Sequence, residues 1–242
     1  METTRLNKAI SETGYCSRRE ADRLIEQCKV EVNGVIAGLG WQVSITDQIF
    51  VEGKQIRKNV KLIYLAFNKP VGITSTTDTT IKSNIIDFIN FQERIFPIGR
   101  LDKPSEGLIF MTNDGDIVNK ILRSRNCHEK EYVVTVNKKI TPDFIEKMRS
   151  GVPVLDTITK KCKVKKIDDL AFNIILTQGL NRQIRRMCDY LGYEVKTLKR
   201  IRIMNVKLGN LKPGKYRHFS PDELAGVLLM VENSVKTMEA SE

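Results

Sequence analysis

The sequence predicts an α+β protein in two parts, a small N-terminal unit and a larger one with a mixed, largely antiparallel sheet flanked by helices. Three observations carry this. Two short helical patterns and a set of small hairpins fill the first sixty residues. Beyond them, strand hairpins and segregated helices replace the regular βαβ alternation of a doubly wound fold. The length of 242 residues suits one large domain or two modest ones, and 41% hydrophobic with 29% charged residues is ordinary for a folded chain.

Taken in order, Leu6, Ala9 and Ile10, then Ala21, Leu24 and Ile25 after a break at Gly14, mark two amphipathic helices. Ser17 with Glu20 three residues on is a capping box, so the second helix starts there. Residues 30–35 alternate and carry Asn33-Gly34, a hairpin turn; residues 48–51 form another short strand. The charged stretch 54–61 reads as a linker, giving domains at 1–60 and 62–234 and a frayed tail at 235–242. The second part opens with a strand ending at Lys69-Pro70, a polar loop over 74–84 and a short helix over 85–89. Apolar segments at 96–98 and 108–111 flank a polar loop, the kind of place where catalytic groups are held between rigid strands. A helix follows over 116–122 and a strand over 131–136. A helix over 141–149 is capped by Thr141 with Pro142 first inside it. Strands are expected around Val164 and over 172–176, 196–203 and 206–208; residues 178–187 lead into a helix that runs through Leu191 and Gly192, and another helix starts at Pro221.

Of the eleven excess positive charges, eight lie in residues 158–202. That concentration favours a polyanion, since neutralising phosphates releases counterions and supplies affinity. No run of about 18 apolar residues exists, so no membrane span is expected, and no apolar core follows the first charges as in a signal peptide. Five cysteines without a C-x-x-C argue for thiols in a reducing cytoplasm rather than disulfides or zinc. His128 and His218 are too far apart for a local metal or relay pair. Phosphate-loop, dinucleotide-fold and serine-hydrolase motifs are all missing. Neither a metal nor a cofactor is expected.

What remains for chemistry is Asp102 beside Arg100 in a Gly-bounded loop, and a cationic helix start with Arg182, Arg185 and Arg186. A carboxylate in a partly closed site can act as nucleophile or base, and an arginine holds it ionised. Tyr132 offers a stacking face to a base taken out of its stack. On spacing alone, all three could equally be ordinary loop and surface residues.

Two resemblances narrow this. Arg5-Leu6-Asn7-Lys8, Ser17-Arg18-Arg19-Glu20-Ala21-Asp22, Val32-Asn33-Gly34 and Ile49-Phe50-Val51-Glu52-Gly53 resemble the S4 RNA-binding domain. The resemblance implies RNA contacts by Arg5, Lys8, Ser17, Arg18, Arg19 and Arg23. Trp41-Gln42 departs from that pattern, which has a more polar turn there. Gly99-Arg100-Leu101-Asp102-Lys103-Pro104-Ser105-Glu106-Gly107-Leu108 resembles the signature of the RsuA-type pseudouridine synthases. His128-Glu129-Lys130-Glu131-Tyr132 and the segment from Gly179 through Arg182-Gln183-Ile184-Arg185-Arg186-Met187 are similar to two further elements of that family. The resemblance spans about residues 5–233, and residues 159–166 and 202–205 look like its large-subunit ribosomal RNA branch.

It implies an isomerase with an S4 domain ahead of the catalytic domain, acting on ribosomal RNA without cofactor. Asp102 would be the catalytic residue, Tyr132 would pack on the flipped base, and Arg185 would pair with Asp102. Arg100 would fill the stack or hold a phosphate, while Asn181, Arg182, Arg186, Lys160, Lys161 and Lys165 would position the RNA. The implied partner is a 23S stem-loop, with a transfer RNA left open as a second, and the expected form is a cytoplasmic monomer. A non-enzymatic ribosome-assembly factor would not need Asp102, and a DNA-binding regulator would show a helix-turn-helix pattern or dimer heptads.

Overall fold

The computed structural model describes residues 3–56, 61–123, 126–232 and 234. The chain divides into two compact units: residues up to 62 with 91–94 and 113–115, and the remainder.

In the first unit, β1 (Thr4–Arg5) runs into α1 (Leu6–Glu12), followed by α2 (Arg18–Glu26). The Ser17 hydroxyl accepts the Glu20 N–H at 3.1 Å and so starts α2 where the capping box placed it. Next come β2 (Val30–Val32), β3 (Val35–Ile36), β4 (Gln42–Val43), β5 (Ile49–Val51) and β6 (Lys54–Ile56). Their sheet is ordered β3-β2-β5-β6, and β1 pairs separately with β4. Leu6, Ile10, Ala21, Leu24 and Ile25 from the helices close onto Val30, Val32, Ile49 and Val51, a self-sufficient small core. The linker expectation is corrected here. Residues 54–56 form a strand on β5, because Glu52 and Gly53, both at positive φ, turn the chain straight back. Residues 57–60 and the expected frayed tail at 235–242 lie outside the described residues.

The second unit holds β7 (Tyr64–Lys69), α3 (Ile85–Ile89), β8 (Phe96–Ile98), β9 (Glu106–Thr112), α4 (Gly115–Leu122) and β10 (Lys130–Val136). Then follow α5 (Pro142–Ser150), β11 (Pro153–Val154), β12 (Thr157–Ile158), β13 (Lys163–Lys166), β14 (Ala171–Leu176) and α6 (Gln183–Tyr190). The last elements are β15 (Val195–Ile203), β16 (Val206–Lys207), β17 (Tyr216–His218) and α7 (Pro221–Glu232). The main sheet runs β13-β14-β10-β15-β9-β7-β17, with β8 added to β9 and β16 to β15. Among its described strands the pairings are antiparallel except β9 with β15, the junction at the centre. The short pairs β1–β4 and β11–β12 and the edge strand β17 were not foreseen, being two or three residues without apolar alternation.

One apolar cluster joins β10, β14, β15, α5 and α6; a second joins β7, β8, β9, α4, β16 and α7. They flank the parallel junction. There Gly107 faces Arg200 so closely that a Cβ on it would stand 2.3 Å from the Arg200 carbonyl oxygen. With φ at +112° as well, only glycine serves.

Candidate active site

A cavity of about 420 Å³ opens where the two apolar clusters meet, lined by Leu101, Tyr132, Leu176 and Leu198 from one and Ile98, Ile121 and Ile203 from the other. Five cations line it, Arg100, Lys130, Arg182, Arg185 and Arg200, against one carboxylate, Asp102.

Asp102 stands in the loop between β8 and β9. Gly99 enters that loop at φ +80°, with Leu122 Cδ2 only 2.8 Å from where a Cβ would be. The Ser75 hydroxyl accepts the Leu101 N–H at 3.1 Å and donates to the Leu101 carbonyl at 2.9 Å, bracing that residue on both sides. The Ser105 N–H donates to the Asp102 carbonyl at 3.0 Å and closes a turn. The carboxylate is thus presented from a fixed backbone, with its side chain 33% exposed.

Arg185 is buried on α6, and its guanidinium ties three pieces together. It donates to the Val195 carbonyl, the Pro104 carbonyl and the Ser105 hydroxyl, each at 3.2 Å. The last two belong to the Asp102 turn. Burial disfavours its charge and so does neighbouring Arg182, while Asp102 favours it. Among the described residues, the cation within ion-pair distance of Asp102 is Arg182, at 3.8 Å, presented from a left-handed residue before α6. The arginine paired with Asp102 in this geometry is therefore Arg182 and not the expected Arg185, which grips the turn instead.

Tyr132 is nearly buried on β10, opposite Arg200 of β15, whose guanidinium carbon lies 5.9 Å from the ring centre. The pairing slips by one residue here, leaving Ile201 without a register partner on β10. That bulge lets Arg200 and Ile203 share the inward face, although a regular strand would turn one of them out. Arg200 is 3% exposed, donates from Nε to the Leu108 carbonyl at 2.6 Å, and keeps a second nitrogen buried without a partner. Lys130, two residues before Tyr132 on the same face, is also buried, and desolvation pulls its pKa down to about 8. Lys69, fully buried, donates to the Pro70 and Ile73 carbonyls at 2.8 Å each. Its pKa is likewise about 8, lowered by burial and partly restored by Asp102.

Of the residues singled out from sequence, Asp102, Tyr132, Arg185, Arg100, Asn181 and Arg182 come together around the cavity. Arg186 is exposed and donates to the Asn181 carbonyl at 3.1 Å. Lys160, Lys161 and Lys165 are exposed and outside the lining. In the first unit Ser17 is occupied as a cap, Lys8 pairs with Glu12 at 3.3 Å and Arg23 with Glu20, while Arg5, Arg18 and Arg19 are exposed. Sequence reasoning missed Lys69, Lys130 and Arg200. The two-residue spacing of Lys130 and Tyr132 was a usable signal; nothing in the sequence announced the bulge that turns Arg200 inward.

The family model for RNA pseudouridylate synthase matches residues 63–190, and that for the S4 domain matches residues 4–49. The dual-specificity RNA pseudouridine synthase RluF of Salmonella typhi is 58% identical over 96% of this chain and 81% of that one. The ribosomal large subunit pseudouridine synthase B of Bacillus subtilis is 34% identical, covering 91% of this chain and 93% of that one. A crystal structure of a pseudouridylate synthase superposes with a TM-score of 0.68 at 28% identity, over 92% of this chain and 99% of that one. Asp102 on its braced turn, Tyr132 and four of the five cations of the cavity lie within residues 63–190, and the chain belongs to the RNA pseudouridylate synthase family: it is an isomerase of RNA uridine with an S4 domain.

Proposed function

We propose that the enzyme isomerises a uridine of large-subunit (23S) ribosomal RNA, in a stem-loop, with Asp102 as the residue that performs the chemistry. The observation that carries this is Asp102 itself, the one carboxylate among the described residues lining a cavity with five cations. The C1′–N1 bond breaks, the uracil turns in place and C5 bonds to C1′; C5 then gives up its proton and N1 takes one up, so the product is an isomer of the substrate. Asp102 either attacks C1′ or removes a proton at C2′; both roles need a carboxylate within reach of the ribose. Tyr132 packs against the flipped base, and Arg185 holds the turn that aims Asp102. Arg182, Arg185 and Lys69 surround the carboxylate with positive charge, so charge changes on it are met by groups already in place. Arg100 fills the gap left by the base or holds a phosphate beside it. Asn181, Arg182, Arg186, Lys160, Lys161 and Lys165 follow the backbone, and Arg5, Lys8, Arg18, Arg19 and Arg23 grip a nearby RNA element.

Relatives named for large-subunit and dual-specificity activity support a ribosomal target and make transfer RNA worth mapping as a second. The reading also takes the enzyme as a cytoplasmic monomer. Mapping pseudouridines in ribosomal and transfer RNA from cells with and without the protein tests the target. Asp102→Asn should abolish isomerisation while leaving RNA affinity within a few fold, since an amide keeps the shape but neither attacks nor removes a proton. Substantial product from that variant would overturn the assignment of Asp102.

A further inference from the structure

The single tryptophan of the chain, Trp41, lies in the first unit. Its N–H donates to the Gly38 carbonyl at 3.4 Å, and its own carbonyl accepts the Leu6 N–H at 2.8 Å. Pairing then continues with Arg5 opposite Gln42. The indole rests on Gly38, where a Cβ would stand 3.1 Å from Nε1 and 3.5 Å from Cδ1. The ring is therefore seated by a residue that has no side chain to push it away, yet it stays 39% exposed. Beside it is a recess of about 290 Å³ whose lining includes Arg5, Asn7, Asp22, Glu26 and Leu39. Asn7 donates to both Asp22 carboxylate oxygens, at 2.9 and 3.1 Å, and so fixes that group.

We propose that this recess is a second RNA subsite, in which an unstacked nucleobase lies on the Trp41 indole and the adjoining phosphate meets Arg5. Every base has a π-face that stacks on an indole, and such stacking tolerates any sequence. Two carboxylates in the lining repel a phosphate, so the base enters and the backbone stays outside at Arg5. The same carboxylates accept N–H groups from a base edge, which favours bases with an amino group. An aromatic over a recess with a cation beside it is the general arrangement for holding single-stranded RNA. The inference rests on the reading that this unit binds ribosomal RNA, and it adds a nucleotide contact outside the catalytic cavity.

Because Trp41 is the only tryptophan, its emission reports on this one place. Large-subunit ribosomal RNA transcribed in vitro, titrated into the full-length enzyme, should quench that emission over the same range in which filter retention shows binding. Trp41→Ala should weaken retention roughly tenfold or more, Trp41→Phe much less, and the single-turnover rate at saturating RNA should be unchanged in both. Gly38→Ala, which keeps the ring but displaces it, should weaken binding as well, and circular dichroism would establish that each variant is folded. Retention with unmoved emission and undiminished affinity in Trp41→Ala overturns the subsite while leaving the catalytic reading intact. Failure of the wild-type enzyme to retain the RNA at all overturns the ribosomal reading, and the subsite with it.

Discussion

Arg185 and Arg182 are three residues apart and both cationic, but the structure gives them different work. Arg185 spends its guanidinium on two carbonyls and a hydroxyl in a buried place, a geometry that a lysine ammonium cannot copy. Arg185→Lys should lower the single-turnover rate at saturating RNA by at least about tenfold, and Arg185→Ala should in addition cost about 2–4 kcal/mol of stability. Arg182 is half exposed but is the cation beside Asp102, so Arg182→Ala should lower both RNA affinity and the saturated rate while leaving thermal stability within about 0.5 kcal/mol. Urea melts with single-turnover kinetics separate the two; equal stability losses would contradict this division. Lys130 gives a pH test. Its folded pKa of about 8 lies below its ordinary 10.5, so the folded state bears a charge penalty below pH 8. As pH rises from 8 toward 10.5 the unfolded chain holds the proton that the folded one has released, and stability from this group rises. Lys130→Met should therefore be more stable than wild type at pH 7, by up to about 3 kcal/mol, and the advantage should fade toward pH 10. A gain that stayed constant with pH would show that the amine's charge is not its cause.

At the scale of elements, the two glycines bounding the Asp102 loop should respond differently to the same substitution. Gly107→Ala drives a methyl group into the backbone of β15, which has no freedom to yield, and should cost about 3 kcal/mol or more. Gly99→Ala meets only the end of the Leu122 side chain, so it should fold but turn over slowly as the loop shifts. Soluble yield, urea midpoint and saturated rate check this pair; a stable, fully active Gly107→Ala would rule out the close approach. These elements also show how much could be read in advance. The Asp102 loop was legible because its glycines, turn and carboxylate are contiguous, and caps at Ser17 and Thr141 act within three residues. β17 was not, since Tyr216-Arg217-His218 becomes a strand only by bonding to β7, about 150 residues earlier. Arg200 was hidden for a related reason. In sequence it alternates like a solvated cation, and only the pairing slip against β10 places it inside.

For the whole molecule, the proposed function divides positive charge between chemistry and grip. On the proposed reading, the exposed arginines of the first unit raise the local concentration of RNA at the catalytic unit without entering the reaction. The double substitution Arg18→Ala with Arg19→Ala should raise the dissociation constant and reduce the steepness of its salt dependence by up to about two. The rate on saturating RNA should be spared, and a drop in that rate with affinity intact would move these arginines into the reaction itself.

The parallel pairing of strands β9 and β15 has a consequence for how the protein is made. About ninety residues separate the two strands, and the Asp102 turn is built before that interval while its partners arrive within and after it. A chain leaving the ribosome can close its first unit early from local contacts, but the sheet that unites the catalytic groups must wait for a strand synthesised late. Through most of its own translation the enzyme could grip RNA while being unable to alter it, and isomerisation would begin only when the seam is sewn.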